Sequence, residues 1–216
     1  MSLLPLISPS RASVDIVYLG QFGSNASANT YTYSSAPLGD VSVDRIIVVA
    51  SSYSNYSKVW GSGTVAGVST TNIINSTDSN FSANFSYAAI PTGTAGDIVS
   101  NWVAGSGTAT DGGIAVWAVY NSSGTPYASV EDTLYTTSTA TLDVSINVPD
   151  KGGIIAYTTH RTDEFSGITE DFDVFCGAEL WHVGASQNFA TGETPRSIVT
   201  TTSRTYKRAL SCSWGP

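Results

Sequence analysis

Residues 140–148 alternate without a fault. Ala140, Leu142, Val144, Ile146 and Val148 lie on one side, and Thr141, Asp143, Ser145 and Asn147 on the other. A period of two belongs to a strand, and a polar second face means that one side of its sheet meets water. The turn residues Pro149-Asp150-Lys151-Gly152-Gly153 follow, then the apolar Ile154-Ile155-Ala156-Tyr157, so 140–160 reads as a hairpin. Three runs lack this alternation: 45–50, 114–120 and 154–157 are apolar on both faces. They are too short and too β-branched for buried helices and read as central strands. A two-layer sandwich would leave their outer face wet, so something must cover it. Long loops of the chain could do so; their small, polar residues favour a neighbouring subunit instead.

Weaker strand patterns fall at 14–22, 28–34, 64–74, 81–90, 97–104, 127–135, 174–183, 195–202 and 206–214, separated by Gly, Pro, Asn and Ser clusters. The 97–103 segment could instead form a turn or two of helix. With no repeat and no linker-like shift in composition, the chain reads as one domain over 14–216. Its fold is expected to be an all-β, two-layer antiparallel sandwich of jelly-roll type. Residues 1–13 lack a charged leader region and are broken by Pro5 and Pro9, so they read as an extended arm. Leu3, Leu4, Leu6 and Ile7 make that arm a candidate for docking on a partner.

Only 12% of the 216 residues are charged, and the formal charge is −8. That balance disfavours general nucleic-acid binding, which needs a basic face. No run approaches the ~20 apolar residues of a membrane span. Five acids (Asp163, Glu164, Glu170, Asp171, Asp173) precede four bases (Arg196, Arg204, Lys207, Arg208). The charges read as two solvated loops or, alternatively, as a contact between copies. Cys176 and Cys212 sit in strand-like runs without a second Cys or His at ligand spacing. Free buried thiols are the expectation, with a bridge left open.

Catalytic chemistry finds little to stand on. The two histidines, His160 and His182, read as polar strand ends, and no Gly-x-Ser-x-Gly elbow presents a nucleophile. Glu131-Asp132 and the 163–173 acids could serve a jelly-roll glycosidase or lyase, but spacing does not distinguish them from surface carboxylates. The acidic stretch also lacks the ligand ladder of a calcium loop. No cofactor or metal is expected, and the chain reads as a non-enzyme. Tyr53, Tyr56 and Trp60 lie in a Ser-rich segment after a core strand. Core packing is the first reading of these rings; an interface or a carbohydrate-binding surface are the others.

Five phrases stand in order: Asp44-Arg45-Ile46-Ile47-Val48-Val49-Ala50, Ile90-Pro91-Thr92-Gly93-Thr94-Ala95-Gly96-Asp97-Ile98, Gly113-Ile114-Ala115-Val116-Trp117-Ala118-Val119-Tyr120, Val148-Pro149-Asp150-Lys151-Gly152-Gly153-Ile154-Ile155 and Ala209-Leu210-Ser211-Cys212-Ser213-Trp214. In this the chain resembles β-sandwich structural proteins of tailed bacteriophages. The resemblance implies a jelly-roll-like module on the virion surface, as a capsid decoration or head-fibre subunit, with a tail-associated receptor- or carbohydrate-binding module as the alternative. It also implies other virion proteins and further copies of the chain as partners, and neither nucleic acid nor membrane.

Overall fold

The structure is a computed structural model describing residues 11–54, 58–77, 81–103, 111–135, 139–159, 164–176, 180–202 and 206–216. Every paired strand among them is antiparallel, and none of them is helical. Residues 97–103, the candidate helical turn, belong to a strand.

The chain divides at the turn 121–125. Before it come β1 (Asp15–Ser24), β2 (Thr30–Pro37), β3 (Ile46–Ser54), β4 (Val59–Val65), β5 (Val68–Ser69), β6 (Thr71–Thr77), β7 (Phe81–Ala89), β8 (Ala95–Val103) and β9 (Asp111–Tyr120). These build an inner sheet β1-β9-β3-β7-β6 and an outer sheet β2-β8-β4-β5. After it come β10 (Pro126–Tyr135), β11 (Ala140–Asp143), β12 (Ile146–Val148), β13 (Gly153–Thr158), β14 (Phe165–Ser166), β15 (Glu170–Cys176), β16 (Leu180–Asn188), β17 (Glu193–Arg196), β18 (Val199–Thr202) and β19 (Tyr206–Trp214). The second inner sheet is β10-β19-β13-β16-β15, and its cover is made of β11-β18-β14 with β12-β17.

Three cores show how these sheets stack. In the first, Ile47, Val49, Ile114 and Val116 of the first inner sheet meet Tyr31, Trp60, Ile98 and Trp102 of the outer sheet. The alternate residues of the same strands, Val48, Ala50, Ala115 and Trp117, face Ile155, Tyr157, Leu210 and Trp214 of the second inner sheet. The opposite face of that sheet (Ile154, Ala156, Val183, Ala209) then packs on Leu142, Val144, Ile146 and Phe165. Side chains alternate across a strand, so a strand between two cores must be apolar at every position. That accounts for the 45–50, 114–120 and 154–157 runs, and it corrects two expectations. Two layers do not account for the three cores, which need four. The cover on the doubly apolar strands is neither loops nor a neighbouring subunit but further sheets of the same chain.

The alternation at 140–148 places its faces as expected, with Leu142, Val144, Ile146 and Val148 buried. Its pairing differs. Asp143 accepts hydrogen bonds from both the backbone N and the Oγ of Ser145, an Asx-type turn that divides the run into β11 and β12. Those strands pair with β18 and β17, whereas β13 joins the inner sheet between β16 and β19. The 149–152 turn, closed by Gly152 N donating to Pro149 O at 3.0 Å, carries the chain between layers rather than round a hairpin. Three other segments read as single strands are also divided. The 64–74 pattern breaks into β4, β5 and β6, 174–183 spans parts of β15 and β16, and 195–202 spans parts of β17 and β18.

Arg45 is wholly buried, and its guanidinium spends all five donors on carbonyls. Nε donates to Ile90 O at 2.7 Å, Nη1 to Gly39 O and Asp40 O at 2.9 and 2.8 Å, and Nη2 to Thr92 O and Gly93 O at 2.9 and 2.7 Å. One side chain thus ties the entry to β3 to the exit from β7, joining the first two of the five sequence phrases. A lysine lacks the fork to satisfy this set. Arg45→Ala should destabilise the fold by about 3–5 kcal/mol, since it strands several buried acceptors at ~1–3 kcal/mol each. Arg45→Lys should recover only part of that in urea denaturation.

Candidate functional site

The two halves meet across the middle core, and its two ends differ. Where residues 11–14 run, the seam is apolar, with Val14, Ile16, Ile46, Val119 and Trp214. Towards the other ends of the same strands, polar groups become buried. β3 continues through Ser51, Ser52, Tyr53 and Ser54 with every residue buried. The Ser-rich segment read as a connection is therefore central strand, paired on both sides by β7 and β9.

Ser52 faces His182 across the seam, with Oγ 2.7 Å from Nε2, while Nδ1 of the same ring lies 3.1 Å from the Tyr157 hydroxyl. All three side chains are buried. Gly113 makes room for the ring, since a Cβ built there would fall inside van der Waals contact with it. Nearby on the same face, Ser54 Oγ donates to the buried Asp111 at 3.3 Å, and Arg208 Nη1 donates to Ser76 Oγ at 2.8 Å. Hydroxyl, imidazole and orienting phenol stand in the order of a nucleophile, its base and the base's partner. A reacting carbonyl must come to about 3 Å of the hydroxyl, however, and Ser52 is 1% exposed between packed sheets. In this conformation the constellation locks two sheets together. His182 is thus not a polar strand end but an interior group, and its partner Ser52 lies 130 residues away in sequence.

At the seam's edge, Trp117 Nε1 donates to Asp171 Oδ2 at 2.8 Å. Burial raises the Asp171 carboxyl above its ordinary range, against the lowering effect of hydrogen bonds from Trp117 and Ser186. Glu170 is raised too, chiefly by burial, and accepts Phe165 N at 2.6 Å. Asp173 accepts Trp181 Nε1. These acids are acceptors built into β15 and its neighbours, not one solvated loop; Asp163 lies outside the described residues. Of the bases, Arg208 is buried and Arg196 pairs with Glu193 at 3.2 Å. Glu131 and Asp132 are successive on β10 and so face opposite ways, with Asp132 accepting Asp143 N at 2.8 Å. They do not converge on a cleft.

The remaining candidates sort by burial. Tyr53 is fully buried and Trp60 is 7% exposed, both in the first core, so neither ring offers a face to a sugar. Tyr56 lies outside the described residues, as do Leu3, Leu4, Leu6, Ile7 and His160. An aromatic pair that does reach solvent is Phe175 with Trp181, centroids 5.6 Å apart on β15 and β16. Cys212 is a free, buried thiol pushed up to about 12 by desolvation. Its strand stands three places from that of Cys176, roughly 14 Å at ordinary strand spacing and beyond the reach of a disulfide. No group of three or more His, Cys, Asp or Glu among the described residues is placed to hold a metal ion.

No protein-family model matches the chain, and no characterised protein matches its sequence. Among solved structures, a chain from the 3.5 Å resolution structure of the Sputnik virophage by cryo-EM aligns over 99% of this chain and 88% of that one. The identity is 6% and the TM-score 0.21, a likeness too slight to carry any argument.

Two outcomes follow from the seam. Gly113→Ala should cost about 1–3 kcal/mol by overpacking against the ring, and His182→Ala in the same chain should relieve part of it. Strict additivity in the double-mutant cycle would show that the ring is not what the methyl meets. A raised carboxyl binds protons more readily folded than unfolded. Its contribution is therefore full below the unfolded value of about 4 and lost as pH rises through the folded one. Asp171→Asn should match the parent near pH 4 and melt at a higher temperature than the parent at pH 7.

Proposed function

We propose that the chain is a non-enzymatic virion structural subunit, a capsid decoration or head-fibre protein attached to the particle surface through its N-terminal arm. The observation that carries this reading is a layered body to which residues 11–14 are anchored, directly after an apolar stretch of the sequence. Four sheet layers around three cores make a stiff block, since packed interiors yield little. Residues 11–14 are fastened to it: Val14 N donates to Lys151 O at 2.8 Å, Lys151 Nζ to Arg11 O at 2.9 Å, and Asn121 Nδ2 to Ser13 O at 3.1 Å. Beyond that anchorage come Leu3, Leu4, Leu6 and Ile7.

Further support comes from how the reactive residues are spent. Ser52 and His182 are buried in the seam, and Trp60 and Tyr53 in a core. The five phrases on which the resemblance to tailed-phage structural proteins rests are themselves structural joints. They supply the Arg45 clamp, the loop that it grips, the glycine under His182, the inter-layer turn and the closing strand β19. Many identical copies on a repeating surface hold firmly through contacts that are weak one at a time.

The full chain should co-sediment with intact particles in stoichiometric, lattice-like amounts. A variant lacking residues 1–10 should melt within a few degrees of the parent, because the anchoring bonds begin at Arg11, yet no longer associate. A full-length protein found only as free monomer in lysates, or a truncated one that still attaches, would overturn the reading.

A further inference from the structure

Phe175 and Trp181 form a pair of rings at the rim of the third core. They stand opposite each other on β15 and β16, with centroids 5.6 Å apart and planes tilted by 50°. Phe175 is 53% exposed, while Trp181 rests partly on the core. The platform is held rather than loose. Asp173, two places before Phe175 and so on the same face, accepts Trp181 Nε1. β15 ends its sheet and, among the described residues, pairs with β16 alone, so the rings lie at an open edge.

Carboxylates gather beside this pair. Glu170 pairs with Ala185 and Asp173 with Val183, two residues that face the third core together. Burial raises the Glu170 carboxyl, and the charges of Asp173 and Glu164 raise it further. Asp173 gives one oxygen to Trp181, and Glu170 gives Oε1 to Phe165 N at 2.6 Å, so each keeps a second acceptor oxygen. An exposed ring face and negative charge attract the same thing, a cation. A guanidinium suits both at once, because it stacks on a ring and forks its donors between acceptors, which a compact ammonium does not. The chain uses the stacking contact itself farther along, where Arg196 Cζ lies 5.4 Å from the centroid of Phe189.

We infer that this end of β15 and β16 docks an arginine side chain carried on an extended, basic segment of another protein. Charge complementarity selects the cation, and the open edge of β15 gives an extended segment a backbone to lie along. Among the described residues the chain's own cations are placed elsewhere. Arg45, Lys58 and Arg208 are buried, Arg196 pairs with Glu193, and Arg11 and Lys151 lie together at the anchored end. That favours a different protein over a second copy. Trp181 stands seven residues along β16 from Asn188, whose side chain accepts Ile16 N, so the rings are about 23 Å from the anchored segment at ordinary strand rise. Docking and attachment use opposite ends, and the site would serve equally in a chain that never meets a particle.

The probe is the peptide Gly-Arg-Gly-Arg-Gly, blocked at both ends, titrated into the full chain at low salt and followed by tryptophan fluorescence. Trp60, Trp102, Trp117 and Trp214 are buried, so the emission that changes is that of Trp181. Saturable binding is expected, weakened by added salt. The same peptide with citrulline for arginine keeps the shape without the charge and should bind about tenfold more weakly or worse. Phe175→Ser should cost roughly two- to fivefold in affinity. Asp173→Asn with Glu170→Gln keeps an acceptor for Trp181 and for Phe165 N, and should cost about tenfold with near-UV circular dichroism unchanged. Glu131→Gln removes an exposed acid on β10 and should change nothing. No saturable response, equal binding of the citrulline peptide, or the same loss from Glu131→Gln as from the double variant would each overturn the site. A response to maltohexaose and none to the arginine peptide would assign the rings to a sugar and overturn it as well.

Discussion

Two of the sheets in this protein have central strands with no wet face, and much of the architecture follows from keeping those strands dry. β3, β9 and β13 are buried at nearly every position, so each needs a neighbouring layer above and below. An isolated half would expose one complete face of its inner sheet. The middle core is therefore not an optional contact between two finished sandwiches. It is where each half completes the other, and Trp117 and Trp214, fully buried within it, come one from each side.

How much of this was legible in the sequence depended on whether the signal was local. Strand character and facing were legible in 140–148, where period two marks the buried side directly. The doubly apolar runs equally revealed that they must be covered. What they were covered by was not legible, because pairing is a choice among distant segments. β11 finds β18 some sixty residues on, and no turn residue announces that partner. The intervening 149–152 turn is a sound turn in itself; only the layer to which it leads was hidden.

The buried polar seam was the least legible feature, for a related reason. Ser51, Ser52 and Ser54 look like loop residues, since serine competes locally for backbone hydrogen bonds and favours turns. They lie in a central strand because their partners come from elsewhere: His182 for Ser52 and Asp111 for Ser54. A usable signal was present in Gly112-Gly113 ahead of an apolar run. Glycine inside a strand marks the close approach of something bulky, here Tyr31 on one face and His182 on the other.

The contrast between the two ends of the seam also assigns them different work. Apolar contact is strong but non-directional, so Trp214 against Ile16 and Val119 could tolerate one half sliding on the other. A buried hydroxyl or imidazole that loses its partner pays the full cost of desolvation, so Ser52–His182 and Arg208–Ser76 hold only in one register. Adhesion is concentrated where the chain enters and closes, and registration at the opposite ends of the same strands. With both supplied, the arm's anchorage at one end keeps a fixed relation to every surface at the other. The role proposed above, attachment by one end with the rest presented, would require that relation.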